Sequence, residues 1–230
     1  MMIQEKILMP HVYLLRFKTQ YDLCMSFVRM QEFYESQKFK GKYFTLEEYM
    51  DYWSKKFGKG SFTYPSAWQG FNLPGKIIWN WYEKFASIDL RDKEFNIIRC
   101  IESLLCSEYK SHDSSCKDHY DNIYVIGVHG NNNSLTIQHE LAHAMYYLNQ
   151  EYRKKCKKLL KQLNLDVYEK CKKWLLNKGY CKGVIEDELQ AYFSTSQGQY
   201  MNVEDFCMNS RKEFRDNFVE FTKKHKKKNI

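Results

Sequence analysis

The 230-residue sequence predicts an α+β fold that is mostly helical, on three observations. Apolar residues recur at helical spacing along most of the chain. One short run, Asn122 to His129, is rich in β-branched residues and is the best strand. Only 3 Pro and 10 Gly leave little room for long structureless stretches. The expected architecture is a small sheet of few strands, edged by residues 123–128, among about eight helices.

Taken in order, Val12-Tyr13-Leu14-Leu15 is a short apolar piece that suits a strand or a helix end. Leu23, Phe27, Met30 and Tyr34 lie on one face of a helix running to about Gln37. Thr45 and Glu48 form a capping box that opens a helix burying Leu46, Tyr49, Met50, Trp53 and Phe57. Residues 58–75 read as irregular, with Phe62, Tyr64, Trp68 and Phe71 embedded among glycines and prolines. Such a loop either closes over a cleft or plugs the N-terminal helices. Helices are expected over 76–86 and 91–106, the second capped by Asp89 and burying Phe95, Ile98, Ile101 and Leu105. The polar run 107–121 is a surface loop whose His112, Asp113 and His119 suggest a second metal site or simple exposure. His129 ends the strand, as a turn residue or facing a cleft. Basic helical segments follow Asn149, with Val167, Cys171, Trp174 and Leu175 on the second, and a final helix over 203–224 buries Phe206, Phe214, Phe218 and Phe221.

Composition narrows the function classes. Hydrophobic content of 43% and aromatic content of 17% are globular values. The N-terminus has no basic stretch followed by an apolar run, and no window approaches a membrane span, so the expected setting is cytoplasmic and off the membrane. Eight Cys without a C-x-x-C pair fit free thiols in a reducing compartment. The net charge of +8 concentrates in residues 153–173 and 223–228. That charge suits either solvated helix faces or attraction to nucleic acid or an acidic partner.

The chemistry gathers in Ser134 to Leu148, which contains His139-Glu140-Leu141-Ala142-His143. On a helix, positions i and i+4 share a face, so His139 and His143 can grip one metal ion together. Glu140, about 100° around the helix from His139, reaches a water beside that metal without being a ligand. Imidazole ligands suit Zn2+, and a catalytic zinc takes three protein ligands. Thr136, Ile137, Leu141, Ala142, Ala144 and Met145 surround the polar residues, and no other charge lies between Ser134 and Leu148. This pattern resembles the extended signature of the zincin metallopeptidases, in which Val or Thr stands three before the first His and uncharged residues flank the ligands. A strand just before this helix also resembles the zincin arrangement, where an edge strand there receives an extended peptide by strand addition.

A third ligand is still needed. No His follows His143 until His225, which leaves a carboxylate, and Glu186-Asp187-Glu188 is the nearest acidic cluster on a new helix. Glu188-Leu189-Gln190-Ala191 resembles the E-x-x-A run of the gluzincins, which implies Glu188 as the ligand ahead of Glu186 and Asp187. The thermolysin-type Asp four residues after that Glu is replaced by Tyr192, so the group orienting the metal-bound His is unassigned. Tyr192 is a candidate for the phenol that stabilises an oxyanion, with Tyr146, Tyr147 and Tyr180 as rivals.

The resemblance implies a zincin-like fold with a helical N-terminal region, 1–106, and a metal-binding region, 107–230, in one compact unit. The implied function is a zinc metallopeptidase acting on a peptide or protein substrate, with Glu140 as general base. The alternative is a non-enzymatic zinc-stabilised module whose basic helix binds nucleic acid or an acidic protein.

Overall fold

The computed structural model describes residues 3–109, 117–131, 134–195 and 204–227, the last segment with side chains over 211–224. His112, Asp113, Cys116 and the side chains of Phe206, Cys207 and His225 lie outside the described residues. The chain forms two compact units: Met1–Tyr34 with Lys38–Asn133, and Glu35–Gln37 with Ser134–Ile230.

The first unit holds strands β1 (Ile3–Met9), β2 (Val12–Phe17), β3 (Gly70–Pro74) and β4 (Tyr124–His129) in the order β1-β2-β4-β3. β2 pairs parallel with β4, while β1 and β3 pair antiparallel with β2 and β4. The run 123–128, expected at the sheet edge, is therefore an interior strand. Its burial accounts for this, because Tyr124 to Val128 are buried without a break. A strand covered on both faces reads as a continuous apolar run rather than an alternating one. β3 lies inside the stretch expected to be irregular, where Gly70, Asn72 and Pro74 mask a strand. Proline is tolerated there because β3 is an edge strand.

Six helices complete this unit: α1 (Gln20–Glu35), α2 (Leu46–Lys56), α3 (Tyr64–Ala67), α4 (Gly75–Phe85), α5 (Asp92–Tyr109) and α6 (Lys117–Asp121). Leu23, Phe27 and Met30 of α1 are fully buried, as their spacing predicts. Leu23 and Phe27 sit on Gly127 of β4, where an added Cβ would come within 2.6 Å of the Phe27 ring. The Thr45–Glu48 capping box opens α2. Tyr64 and Phe71 pack inward within this unit: Tyr64 meets Trp53 at 4.9 Å, and Phe71 stacks on Phe27 at 5.4 Å. His129 contacts the Gln69 side chain at 3.0 Å.

α5 differs from expectation in its inward face. Phe95 is exposed, and Glu94 takes the interior position with Ile97, Ile98, Ile101, Leu104 and Leu105. The reason is Arg29, fully buried on α1, whose guanidinium donates to both Glu94 oxygens. Asp89 does not cap α5; its carboxylate accepts from Arg29 Nη1 instead. The Arg29 guanidinium also lies over the Phe85 ring at 5.1 Å.

The second unit holds α7 (Ser134–Leu148), α8 (Gln150–Gln162), α9 (Leu165–Asn177), a 3-10 turn (Lys182–Val184), α10 (Ile185–Ser194) and α11 (Glu204–Lys227). α10 is its centre, touching α7, α8, α9 and α11. Phe214, Phe218 and Phe221 of α11 are buried, with Phe193 against Phe214 at 5.5 Å. Residues 35–37 belong here because they pair with 179–181: Cys181 N donates to Glu35 O, Gln37 N donates to Gly179 O, and Ser36 bridges Tyr180. Gly179 supports this turn at φ +103°, a region open to glycine.

Among the described residues no helix is long and apolar enough to cross a membrane, and Cys24, Cys100, Cys106, Cys156, Cys171 and Cys181 are free thiols. Arg29→Met would strip the buried Glu94 carboxylate of its fully buried cation and leave the partly exposed Arg91 to balance it. The expected loss is about 3–5 kcal/mol, read as a lower midpoint in urea with an unchanged slope.

Candidate metal centre

α7 runs through the second unit with His139, Glu140, Ala142, His143 and Ala144 all buried. α10 presents Glu188, Leu189, Gln190, Ala191 and Tyr192, which are buried too. Ala142 and Ala191 are fully enclosed, and small residues there let the two helix backbones come close. Gln190 Nε2 then reaches the Ala142 carbonyl at 3.1 Å.

The ligand-type atoms of His139, Glu140 and His143 all lie within 4.8 Å of one another, and this group could hold a metal ion. His139 Nε2 and His143 Nε2 face each other at 3.4 Å, with the rings nearly perpendicular at 84°. Glu188 Oε1 lies 3.7 Å from His143 Nε2. Ligands bonded to zinc at about 2.0–2.2 Å, at angles of about 109–120°, stand about 3.3–3.8 Å apart. Both separations fall in that range. Glu188 Oε2 is buried with no hydrogen-bond partner, an orphaned acceptor that a cation would satisfy. The donor set therefore fits a divalent metal.

Asp187, which spacing alone left among the possible ligands, stands beside the other nitrogen of His143. Its Oδ1 lies 3.0 Å from His143 Nδ1. The contact is close without meeting hydrogen-bond alignment, so we describe it as a charge contact. Asp187 and Glu188 are neighbours on one helix, so their side chains reach the two nitrogens of the same ring. His139 has its own supports. The Ala191 carbonyl accepts from its ring, and Nδ1 stands 3.4 Å from Thr195 Oγ1. Glu186 points elsewhere, half-exposed, with Lys157 Nζ at 3.6 Å and the Tyr146 hydroxyl at 3.4 Å.

Electrostatics follow from this packing. Burial pushes the His139 pKa well down, and the neighbouring His143 charge lowers it further. Burial would depress His143 as well, but Asp187 first, then Glu188, outweigh it and lift that imidazole to about 10. Burial raises the Glu188 carboxyl to about 8 against the opposing pull of His143, with Asp187 and Glu140 adding to the rise.

Tyr192 packs its ring against His139 at 4.7 Å and against Trp174 at 5.4 Å. Burial raises its pKa far above the phenol range, and a hydrogen bond with Tyr180 opposes this. Of the rival tyrosines, Tyr180 is partly buried and lies near Glu188 and Glu140, whereas Tyr146 turns to Glu186. Lys155 and Lys157 of the basic α8 face Glu220 and Glu186, as solvated helix pairs do. Sequence reasoning missed Asp187 as an orienting group, and also Thr195 and Gln190. Only the i, i+3 spacing of Asp187 and Gln190 hinted at a link.

Comparison with protein-family models, with curated proteins and with solved structures finds no match to this chain.

In the metal-free protein His143 and Glu188 hold protons near neutrality because both groups titrate upward of their usual range. A metal must displace them, so its affinity rises with pH through about 8, where Glu188 titrates, up to about 10, where His143 does, and falls as pH drops. The expected slope between pH 6 and 8 is about tenfold per unit for each proton displaced, since one pH unit is about 1.4 kcal/mol. Competition with a chromogenic chelator at several pH values measures it.

Proposed function

We propose that this chain is a zinc-dependent metallopeptidase, with His139, His143 and Glu188 as the residues that hold the ion. The observation that carries this reading is the buried group of His139, Glu140 and His143, with the two imidazole Nε2 atoms facing at 3.4 Å, and Glu188 beside His143, its Oε1 at 3.7 Å from His143 Nε2 and its Oε2 without a hydrogen-bond partner. Zinc suits two imidazoles and a carboxylate, and once bound it would supply Lewis acidity toward a carbonyl and a water with a pKa of about 7.

The rest of the work falls to the chain. Glu140 follows His139 on α7, is buried, and lies within 4.8 Å of both imidazoles. It takes a proton from the attacking water and hands it to the leaving amine, as a general base and then a general acid. Tyr192 stays protonated because burial raises it. Its hydroxyl is the candidate donor to an oxyanion developing nearby, with Tyr180 as its hydrogen-bond neighbour. Asp187 holds the His143 ring from the far side. The substrate class is a peptide or protein.

Elemental analysis of purified protein should find zinc in wild type, and much less in His143→Ala and Glu188→Ala. Glu140→Gln should keep its zinc yet lose about 10²–10⁴-fold in hydrolysis, followed by mass spectrometry on a mixed peptide library. Full activity in Glu140→Gln would overturn the mechanism, and zinc retained in Glu188→Ala would remove that residue from the ligand set.

A further inference from the structure

The structure assigns Gln190 as the positioning residue that holds Asp187 in place to orient His143, an inference that rests on the metal-site reading above. Gln190 is fully buried on α10, which is unusual for a side chain with two donors and an acceptor. Every end of its amide is used. Nε2 donates to the Ala142 carbonyl at 3.1 Å and to Asp187 Oδ1 at 3.0 Å. Oε1 accepts from the Tyr152 hydroxyl at 2.9 Å, and the Cys156 thiol lies 3.9 Å away.

This set of partners fixes which way the amide points. The Ala142 carbonyl can only accept, so the NH2 end must face α7 and Oε1 must face Tyr152. Tyr152 OH is itself 3.1 Å from Ser194 Oγ, so the far end of the network is anchored on α8 and α10. An amide NH2 cannot accept a hydrogen bond, so it holds Asp187 Oδ1 as an acceptor. The same oxygen faces His143 Nδ1 at 3.0 Å. That charge contact favours a proton on Nδ1, with the Nε2 lone pair turned toward His139 and Glu188. One amide thus ties α7, through the carbonyl next to His143, to Asp187 of α10.

The role requires Gln190 to act through Asp187, and a double-mutant cycle tests that directly. Gln190→Met keeps the volume and removes the hydrogen bonds. In otherwise wild-type protein it should weaken zinc binding about tenfold, the lower end for groups behind a ligand. In an Asp187→Asn background the same change should have little further effect. A second readout needs no metal: the His143 Nδ1 proton resonance in the metal-free protein should be visible in wild type and lost in both Gln190→Met and Asp187→Asn. An equal affinity loss in both backgrounds, or an unchanged affinity and resonance in a Gln190→Met protein whose Tm has dropped, would overturn the inference. Should Gln190→Met not fold, Tyr152→Phe removes only the hydroxyl that anchors Oε1. It should show a smaller loss in the same direction, abolished by Asp187→Asn, and no change at all would count against the role. Wild-type protein that bound no zinc would sink the metal reading, while the resonance would still decide whether Gln190 positions the ring.

Discussion

The approach of α10 to α7 is the constraint from which the candidate site follows. Helices normally keep ionisable side chains at their wet faces, yet here His139, Glu140, His143 and Glu188 are all buried in one layer. The enclosed alanines at 142 and 191 suit that closeness, and Gln190 bonds the Ala142 carbonyl across it. Four such groups without a compensating cation would be costly to enclose. The upward shift of Glu188 expresses that cost in the metal-free state, while Asp187 and Glu188 hold His143 upward against it.

A second buried charge arrangement organises the first unit, and the contrast is instructive. Arg29 and Glu94 are both fully buried, but the guanidinium fork meets both carboxylate oxygens and an aromatic ring besides. That pair is satisfied internally and has a structural character. At Glu188 one oxygen has no partner at all. Burial is common to both places, and completeness of partnering separates a stabilising ion pair from a site with capacity left for a ligand.

The parts legible in the sequence were those whose cause is local. His139 and His143 lie one helical turn apart, so their meeting needs no tertiary information. The Thr45–Glu48 box and the Leu23, Phe27, Met30 stripe are of the same kind. Glu188 was reached by elimination and resemblance, and the structure sets it 3.7 Å from His143. What stayed hidden depended on partners far along the chain. Asp187 and Glu188 are chemically alike, and only the direction of α10 decides which faces Nδ1 and which faces Nε2. Phe95 reads as more apolar than Glu94, but Arg29 draws Glu94 inward. β4 was expected at a sheet edge from the zincin resemblance, and its pairing with β3, whose Gly and Pro disguise a strand, overturns that.

The short pairing of residues 35–37 with 179–181 bears on how this protein can be dissected. A fragment beginning at Ser134 would carry the whole H-E-x-x-H turn and the acidic helix, and would look like a self-sufficient piece. It would lack the main-chain partner of Cys181 and Gly179, together with the enclosed side chains of Glu35 and Ser36. The segment leading into α10 would lose its strap. The polypeptide lends three residues from its first fifth to its second half, so any minimal version of the site has to be stitched from two non-adjacent stretches.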